Sequence, residues 1–302
     1  MALECREAYL SHEIPMADCT GVIRQLFIYP IKSCAGIEVT RAQLTATGLS
    51  MDREWMIVDQ DGQFLTQRQS PHMVWITPSL TDSALTLSAP GMPPISIALE
   101  LLSTPKTVTV WRDTLVGDDQ GDAVAKWLDT YLAVPGKHYR LVRFSKAARR
   151  LSSLDWTKGV EAVNKFSDGF AVLVVTQCAL DELNARLLTQ GHEAVSMLRF
   201  RPNIVLDHLE AHAEDHLDAL SIETSQGTAQ LHLVKPCPRC AIPDINPHTA
   251  ISSPEVNDTL RAYRTLARVD GAICFGMNGI VHAGVGQTLA VGQKAEGDYS
   301  FD

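Results

Sequence analysis

Residues 21–30, GVIRQLFIYP, alternate apolar and polar positions up to a proline, and that period of two predicts a strand. IKSCAGIEVT reads as a loop running into a second strand. MDREWMIVDQDGQFLT, 51–66, sets two apolar runs on either side of Asp61-Gly62, the pattern of a β-hairpin. Short strand-like segments continue to about residue 112, broken by APGMPP. The period then changes. In GDAVAKWLDTYLAVPG, Val124, Trp127, Leu128, Tyr131 and Leu132 recur at helical spacing, with Asp122 placed to cap the start and Pro135-Gly136 to end it. FAVLVVT, 170–176, is the unbroken apolar run of a buried strand, and a helix is expected from Thr176 with Leu180, Leu183 and Leu187 on one face. Gln230–Val234 alternates again, so VKPC stands at a strand end. Ser253-Pro254 predicts another helix start, a hydroxyl cap followed by proline at the first position, with Val256, Leu260 and Tyr263 facing inward. GIVHAGV and TLAVG are strand-like pieces of the tail.

The pattern is α+β and β-rich, in two parts: residues 21–140 with a linking helix, and residues 141–302. Residues 1–20 mix acidic and polar positions and are expected to form a flexible leader. Composition adds exclusions. Apolar residues make up 45% and charged residues 20% of 302, a balance that supports an ordinary globular core. A net charge of −9 argues against a general nucleic-acid binder, while leaving room for a local basic cleft. No run of about twenty apolar residues exists, so no membrane span is expected. The seven cysteines are odd in number and irregularly spaced, which points to a reducing, cytoplasmic setting.

The sharpest chemical signal is VKPCPRCAIPDINP, 234–247, with Cys237 and Cys240 in C-x-x-C spacing. A structural zinc site needs four ligands, and no second pair exists. A thioredoxin-like couple needs a helix after the motif, and the prolines of AIPDINP forbid one directly after Cys240. Two strand-end cysteines of no special role are the plain alternative. Arg239 weighs against it, because a cation beside a thiol favours the thiolate, the form that binds soft metals. His208, His212 and His216 recur at helical spacing, but without the H-E-x-x-H order, and an exposed acidic loop or short helix is the expected reading. Lys32, Arg53, Arg201, Asn203 and Arg239 are scattered polar groups. Brought together they would form a cationic, amide-bearing cleft suited to a phosphate beside a thiolate. Spacing does not show that they meet.

YPIKSC (29–34), GLSMDREWMIVDQDGQFLTQRQ (48–69), FSDGFAVLVVT (166–176), FRPNIV (200–205), VKPCPRC (234–240) and LAVGQKAE (289–296) carry a resemblance. Taken in this order, they resemble the MOSC-domain family, in particular the members with an N-terminal β-barrel domain: the mitochondrial amidoxime-reducing component and its bacterial relatives. The resemblance runs from about residue 21 to 298. It implies an N-terminal MOSC-associated β-barrel-like domain packed on a C-terminal MOSC β-barrel with a few helices. It also implies a molybdenum-molybdopterin cofactor whose metal is bound by the second motif cysteine, here Cys240, the catalytic position. Lys32, Ser33, Arg53, Arg201, Asn203 and Arg239 match the family's cofactor contacts.

The implied activity is reduction of N-hydroxylated compounds such as amidoximes and hydroxylamines, with electrons from a flavin-dependent reductase or small redox carrier. The alternative is a cofactor or sulfur carrier that uses a persulfide on Cys240. No iron–sulfur cluster and no pyridoxal phosphate are expected. Two positions depart from the family pattern. Gly169-Phe170 replaces a Thr-Ser pair, and Asn246-Pro247 stands where an acidic residue precedes the proline, with Asp244 two residues earlier.

Overall fold

The computed structural model describes residues 17–101 and 103–300. Residues 1–16 of the expected leader lie outside them, and its last two residues already belong to the strand Cys19–Ile28. Seven strands close into a barrel. Around the wall they run Cys19–Ile28, Lys294–Tyr299, Leu217–Thr224, Gly227–Pro238, Ala272–Ala283, Val172–Thr176 and Ile204–Asp207, which returns to the first. All neighbours are antiparallel except Val172–Thr176 and Ile204–Asp207. That parallel pair needs a crossover, and the helix Gln177–Thr189 supplies it.

The unbroken apolar run of Val172–Thr176 follows from burial on both faces. Val172 and Val174 point into the barrel core with Ile23, Leu26, Ile204, Leu206 and Leu231. Leu173 and Val175 point outward under Leu180, Leu183 and Leu187 of the crossover helix and Val256 and Leu260 of the helix Glu255–Arg261. Strands covered on both sides lose the alternation that marks a half-exposed strand.

The other part of the chain forms a four-stranded antiparallel sheet, in the order Trp55–Asp59, Tyr139–Phe144, Asp113–Asp119, Thr104–Val110. A three-stranded sheet, Thr77–Leu80, Ala84–Ser88 and Ile95–Ala98, lies beside it. The helix Asp122–Leu132 buries Val124, Trp127 and Leu128 against Leu85, Leu87, Trp55 and Leu141. Pairings cross the expected division at 140. Cys19–Ile28 is a barrel strand, Tyr139–Phe144 spans the division, and Thr288–Ala290 pairs with Arg41–Thr45. No helix among the described residues is long and apolar enough to cross a membrane.

Several local expectations are corrected. The hairpin's first arm is Trp55–Asp59 with Gly62 at φ 79, but its second arm is a single Val58–Phe64 bridge. Gln63 O accepts from Asp59 N–H and Leu65 N–H donates to Ile57 O on either side of that bridge, while the outward Phe64 N–H pairs with Thr109 O. A Cβ at Gly62 would lie 2.6 Å from the carbonyl oxygen of Thr107, so this turn requires glycine on two counts. The helix expected from Ser253-Pro254 starts at Glu255, and the Ser253 hydroxyl donates to the Glu255 carboxylate and accepts no helix N–H. The cap comes from elsewhere: Asp244 Oδ1 accepts the Asn257 N–H at 3.0 Å.

Candidate functional site

The strand Val172–Thr176 meets four loops: those leading out of Cys19–Ile28, out of Gly48–Leu49, into Ile204–Asp207 and out of Gly227–Pro238. They enclose a narrow cleft of about 100 Å³ that is open to solvent. Lys32, Ser33, Arg53, Arg201, Asn203, Arg239 and Cys240 all line it. Positions far apart in the sequence are therefore brought to one cavity.

The loops are shaped by unusual backbone. Ser33, Arg53 and Arg201 have φ of 64, 44 and 57. A side chain in the left-handed region costs roughly 1 kcal/mol or more, and such residues persist only where the surrounding contacts hold them. Here the contacts are visible. Gln67 Nε2 donates to the Ser33 carbonyl at 2.8 Å. The Arg53 N–H donates to Tyr29 O at 2.8 Å. Arg53 Nη1 binds Asp52, with contacts at 2.7 and 2.6 Å, and Arg53 Nη2 donates to Arg201 O at 2.9 Å. Arg201 Nη1 donates to Cys34 O at 2.6 Å. Burial, then the charge of Arg53, pulls Arg201 down to about 10, so it remains a cation at neutral pH.

Lys32 is buried, and its ammonium donates to Phe166 O at 2.9 Å and to the Asp168 carboxylate. Burial lowers its pKa and Asp168 opposes that. Surrounding protein raises Asp168, but the charge and hydrogen bond of Lys32, with Arg53 beyond, outweigh it and hold the carboxyl well below its usual range. Trp111 Nε1 donates to the same carboxylate at 3.3 Å, and the Arg68 guanidinium lies 5.0 Å from the Trp111 ring centroid.

The thiol end departs from expectation. Arg239 turns to the first motif cysteine: its Nη1 donates to Cys237 Sγ at 3.1 Å and its Nη2 to Phe200 O at 3.0 Å. Arg239 Nε is buried without a partner. Cys240 sits on the turn that follows, its carbonyl accepting Asn257 Nδ2 at 2.9 Å. Asp244 is spent on the same support, its Oδ2 accepting Asn257 Nδ2 at 2.7 Å, and burial raises its pKa.

Asn203 is likewise committed to the protein. Its Oδ1 accepts from Leu173 N–H and from Arg53 Nη1, both at 3.1 Å, and its Nδ2 donates to Phe27 O at 3.2 Å. This amide ties three segments of the cleft wall together.

Sequence reasoning missed Arg68, Trp111, Asp168 and Asn278, which also line the cleft. Asp168 stands within FSDGF and Arg68 within the 48–69 stretch, whereas Trp111 and Asn278 carried no local signal. The histidine stretch lies elsewhere. His208 and His212 have φ of 65 and 63, which breaks the helical face, and only Ala213–His216 forms a single 3-10 turn. Rather than exposed, His212, Glu214 and Asp215 are buried. No group of three metal-ligating side chains is found among the described residues.

Among the described residues that line the cleft, Lys32, Arg53, Arg68, Arg201 and Arg239 stand against the one carboxylate of Asp168, with Asp52 paired to Arg53 behind them, so the cleft has a cationic excess. That excess, an unpartnered buried guanidinium N–H and two half-buried thiols fit a ligand carrying both a phosphate and a thiophilic metal.

Residues 20–135 match the MOSC N-terminal beta barrel domain, and residues 161–296 match the MOSC domain. Mitochondrial amidoxime reducing component 2 of Rattus norvegicus is 35% identical over 257 residues, which cover 81% of this chain and 72% of that protein. Mitochondrial amidoxime-reducing component 1 of Homo sapiens is 32% identical over 278 residues, 87% of this chain and 78% of that one. Molybdenum cofactor sulfurase of Bos taurus is 29% identical over 272 residues, 83% of this chain but 30% of that protein.

Proposed function

Because the chain belongs to the MOSC-domain family whose members carry an N-terminal β-barrel domain, we propose that it is a molybdenum-cofactor-dependent reductase of N-hydroxylated compounds. The observation that carries the reading is the meeting of Lys32, Ser33, Arg53, Arg201, Arg239 and Cys240 in one cationic cleft. Relatives named for amidoxime reduction and for the molybdenum cofactor support a molybdenum-related oxidoreductase role. In this reading Lys32, Ser33, Arg53 and Arg201 hold the cofactor's phosphate end, and Cys240 supplies the thiolate to the metal.

When bound, the cofactor would supply a two-electron couple for cleavage of the N–O bond, which with two protons releases the oxygen as water. The chain supplies orientation. Asn203 fixes Arg53 against the strand start, Tyr29 backs Arg53 and Arg201, and Asn257 with Asp244 sets the turn that carries Cys240. The two electrons come from a separate flavin-dependent reductase or small redox carrier, in a reducing, cytoplasmic setting.

The test is reduction of an aryl amidoxime by chemically reduced viologen, using protein made in cells that synthesise the cofactor. Wild type is expected to form the amidine, and Cys240→Ser to lose that activity while keeping its thermal transition. Equal turnover by the two proteins overturns the proposal. A mass increment of one sulfur on Cys240 without amidine formation replaces it with the sulfur-carrier reading.

A further inference from the structure

Asp168 holds an unusual place in the cleft. Its carboxylate pairs with an ammonium whose own side chain is only 6% exposed, yet the Asp168 side chain is 72% exposed. The acid reaches Lys32 from the open side of the cleft, where an incoming anion would also arrive. Lys32 keeps a second acceptor, Phe166 O at 2.9 Å, whatever Asp168 does.

The backbone that leads into Asp168 is pinned. The Arg150 guanidinium, itself 5% exposed, donates through Nη1 to Asn164 Oδ1 at 2.6 Å, Lys165 O at 2.9 Å and Ser167 O at 2.6 Å. Arg150 Nε is held by Asp113 at 2.7 Å. A rotation about the Asp168 side chain therefore frees Lys32 without moving the loop. Besides the Lys32 ion pair itself, the carboxylate is restrained by the Trp111 N–H at 3.3 Å, a long and weak hydrogen bond. Trp111 has φ of 54 and is 44% exposed, and its ring also carries Arg68.

We infer that Asp168 is a resident counter-anion on Lys32, replaced by a phosphate-type group when one enters the cleft, and that Trp111 senses the exchange. The inference rests on the function proposed above for its ligand class, and on this chain's own geometry for the device. A phosphate dianion offers more charge and more acceptor oxygens than a carboxylate, so the exchange is favourable once the group is near. Until then Asp168 spares Lys32 from being a buried, unpaired cation.

The experiment uses the full chain from cells unable to make the pterin, with inorganic phosphate as the probe. Binding is followed by calorimetry and by tryptophan emission. Phosphate is expected to bind wild type and to shift the emission, because the Trp111 N–H loses its acceptor. Trp111→Phe should bind phosphate with that shift abolished. Asp168→Asn, which removes the competing charge, should bind phosphate about fivefold more tightly, the factor that a partly exposed ion pair is worth. Weaker binding by Asp168→Asn overturns the inference, because it makes Asp168 a support for the anion site rather than its occupant. An emission shift that survives in Trp111→Phe, or no phosphate binding by either wild type or Asp168→Asn, also overturns it. Should Asp168→Asn fail to fold, the comparison of wild type with Trp111→Phe decides alone. A chain that keeps molybdenum through Cys240 and yet fails these tests removes the role of Asp168 and leaves the proposed function standing.

Discussion

Arg53 donates to the carbonyl oxygen of Arg201 at 2.9 Å, and the two guanidiniums share one aromatic ring, each 4.3 Å from the centroid of Tyr29. Two like charges held this close repel, so the ring is part of what keeps them in the cleft. A Cβ at Gly36 would sit 2.4 Å from Tyr29, so this glycine leaves room for the ring. The Tyr29 hydroxyl is buried without a partner and adds nothing to the platform. Tyr29→Phe is therefore expected to fold with the same or greater stability, by about 1 kcal/mol, since an unsatisfied hydroxyl is removed. Tyr29→Leu removes the ring, should cost about 2–4 kcal/mol, and should lower bound molybdenum about tenfold. Urea denaturation with metal analysis of the same preparations separates the two variants. Equal loss of metal in both would show that the hydroxyl, not the ring, is what matters.

The two motif cysteines are predicted to behave differently. Arg239 already occupies Cys237, whereas Cys240 sits on a turn braced by Asn257 and Asp244. Elemental analysis should find molybdenum lost in Cys240→Ser and largely kept in Cys237→Ser. The reverse result moves the metal ligand to Cys237 and makes Arg239 its direct electrostatic partner.

Asn203 should matter first to the fold. It is buried, and its truncation leaves Leu173 N–H and Phe27 O without partners at the heart of the cleft wall. Asn203→Ala is expected to cost about 2–5 kcal/mol, the range for two buried groups left unsatisfied. The urea midpoint should fall with an unchanged slope. A variant as stable as wild type would mean that its amide is directed to a ligand instead.

How far the site was legible depends on where each signal lies. FAVLVVT declared a buried strand because both its faces are covered, and VKPC declared a strand end because the alternation before it is strict. Lys32, Ser33, Arg53, Arg201, Asn203 and Arg239 were visible as polar groups beside such elements, and the family likeness joined them. What the sequence concealed is direction. Nothing local says that Arg239 turns to Cys237, that Asn203 faces the backbone, or that Asp168 reaches Lys32 across 136 residues. The histidine stretch misled for a related reason. Helical spacing was present, but left-handed backbone at His208 and His212 breaks the face, and burial of Glu214 is set by strands distant in sequence.

That buried acid gives the last prediction. Glu214 has no exposure, its Oε2 accepts the Thr176 hydroxyl at 2.7 Å, and its Oε1 has no partner. Burial, then the neighbouring Asp215, pushes its pKa from 4.5 up to about 7. The folded state therefore keeps this proton longer than the unfolded chain does. The stability it confers is complete below pH 4.5 and is lost as pH rises through about 7. His212 works in the opposite sense: burial, then Arg264, lowers it from 6.5 to about 3, so its contribution grows as pH rises from 3 to 6.5. The two slopes oppose each other until His212 is spent, and above that Glu214 acts alone. Glu214→Gln keeps an acceptor for Thr176 and cannot ionise. Its stability relative to wild type should rise between pH 5 and pH 8, by at most about 3 kcal/mol. Urea titrations of both proteins across that range measure the difference directly. A difference that stays flat would mean that Glu214 is ionised in the folded protein throughout, with a partner for Oε1 that offsets its burial.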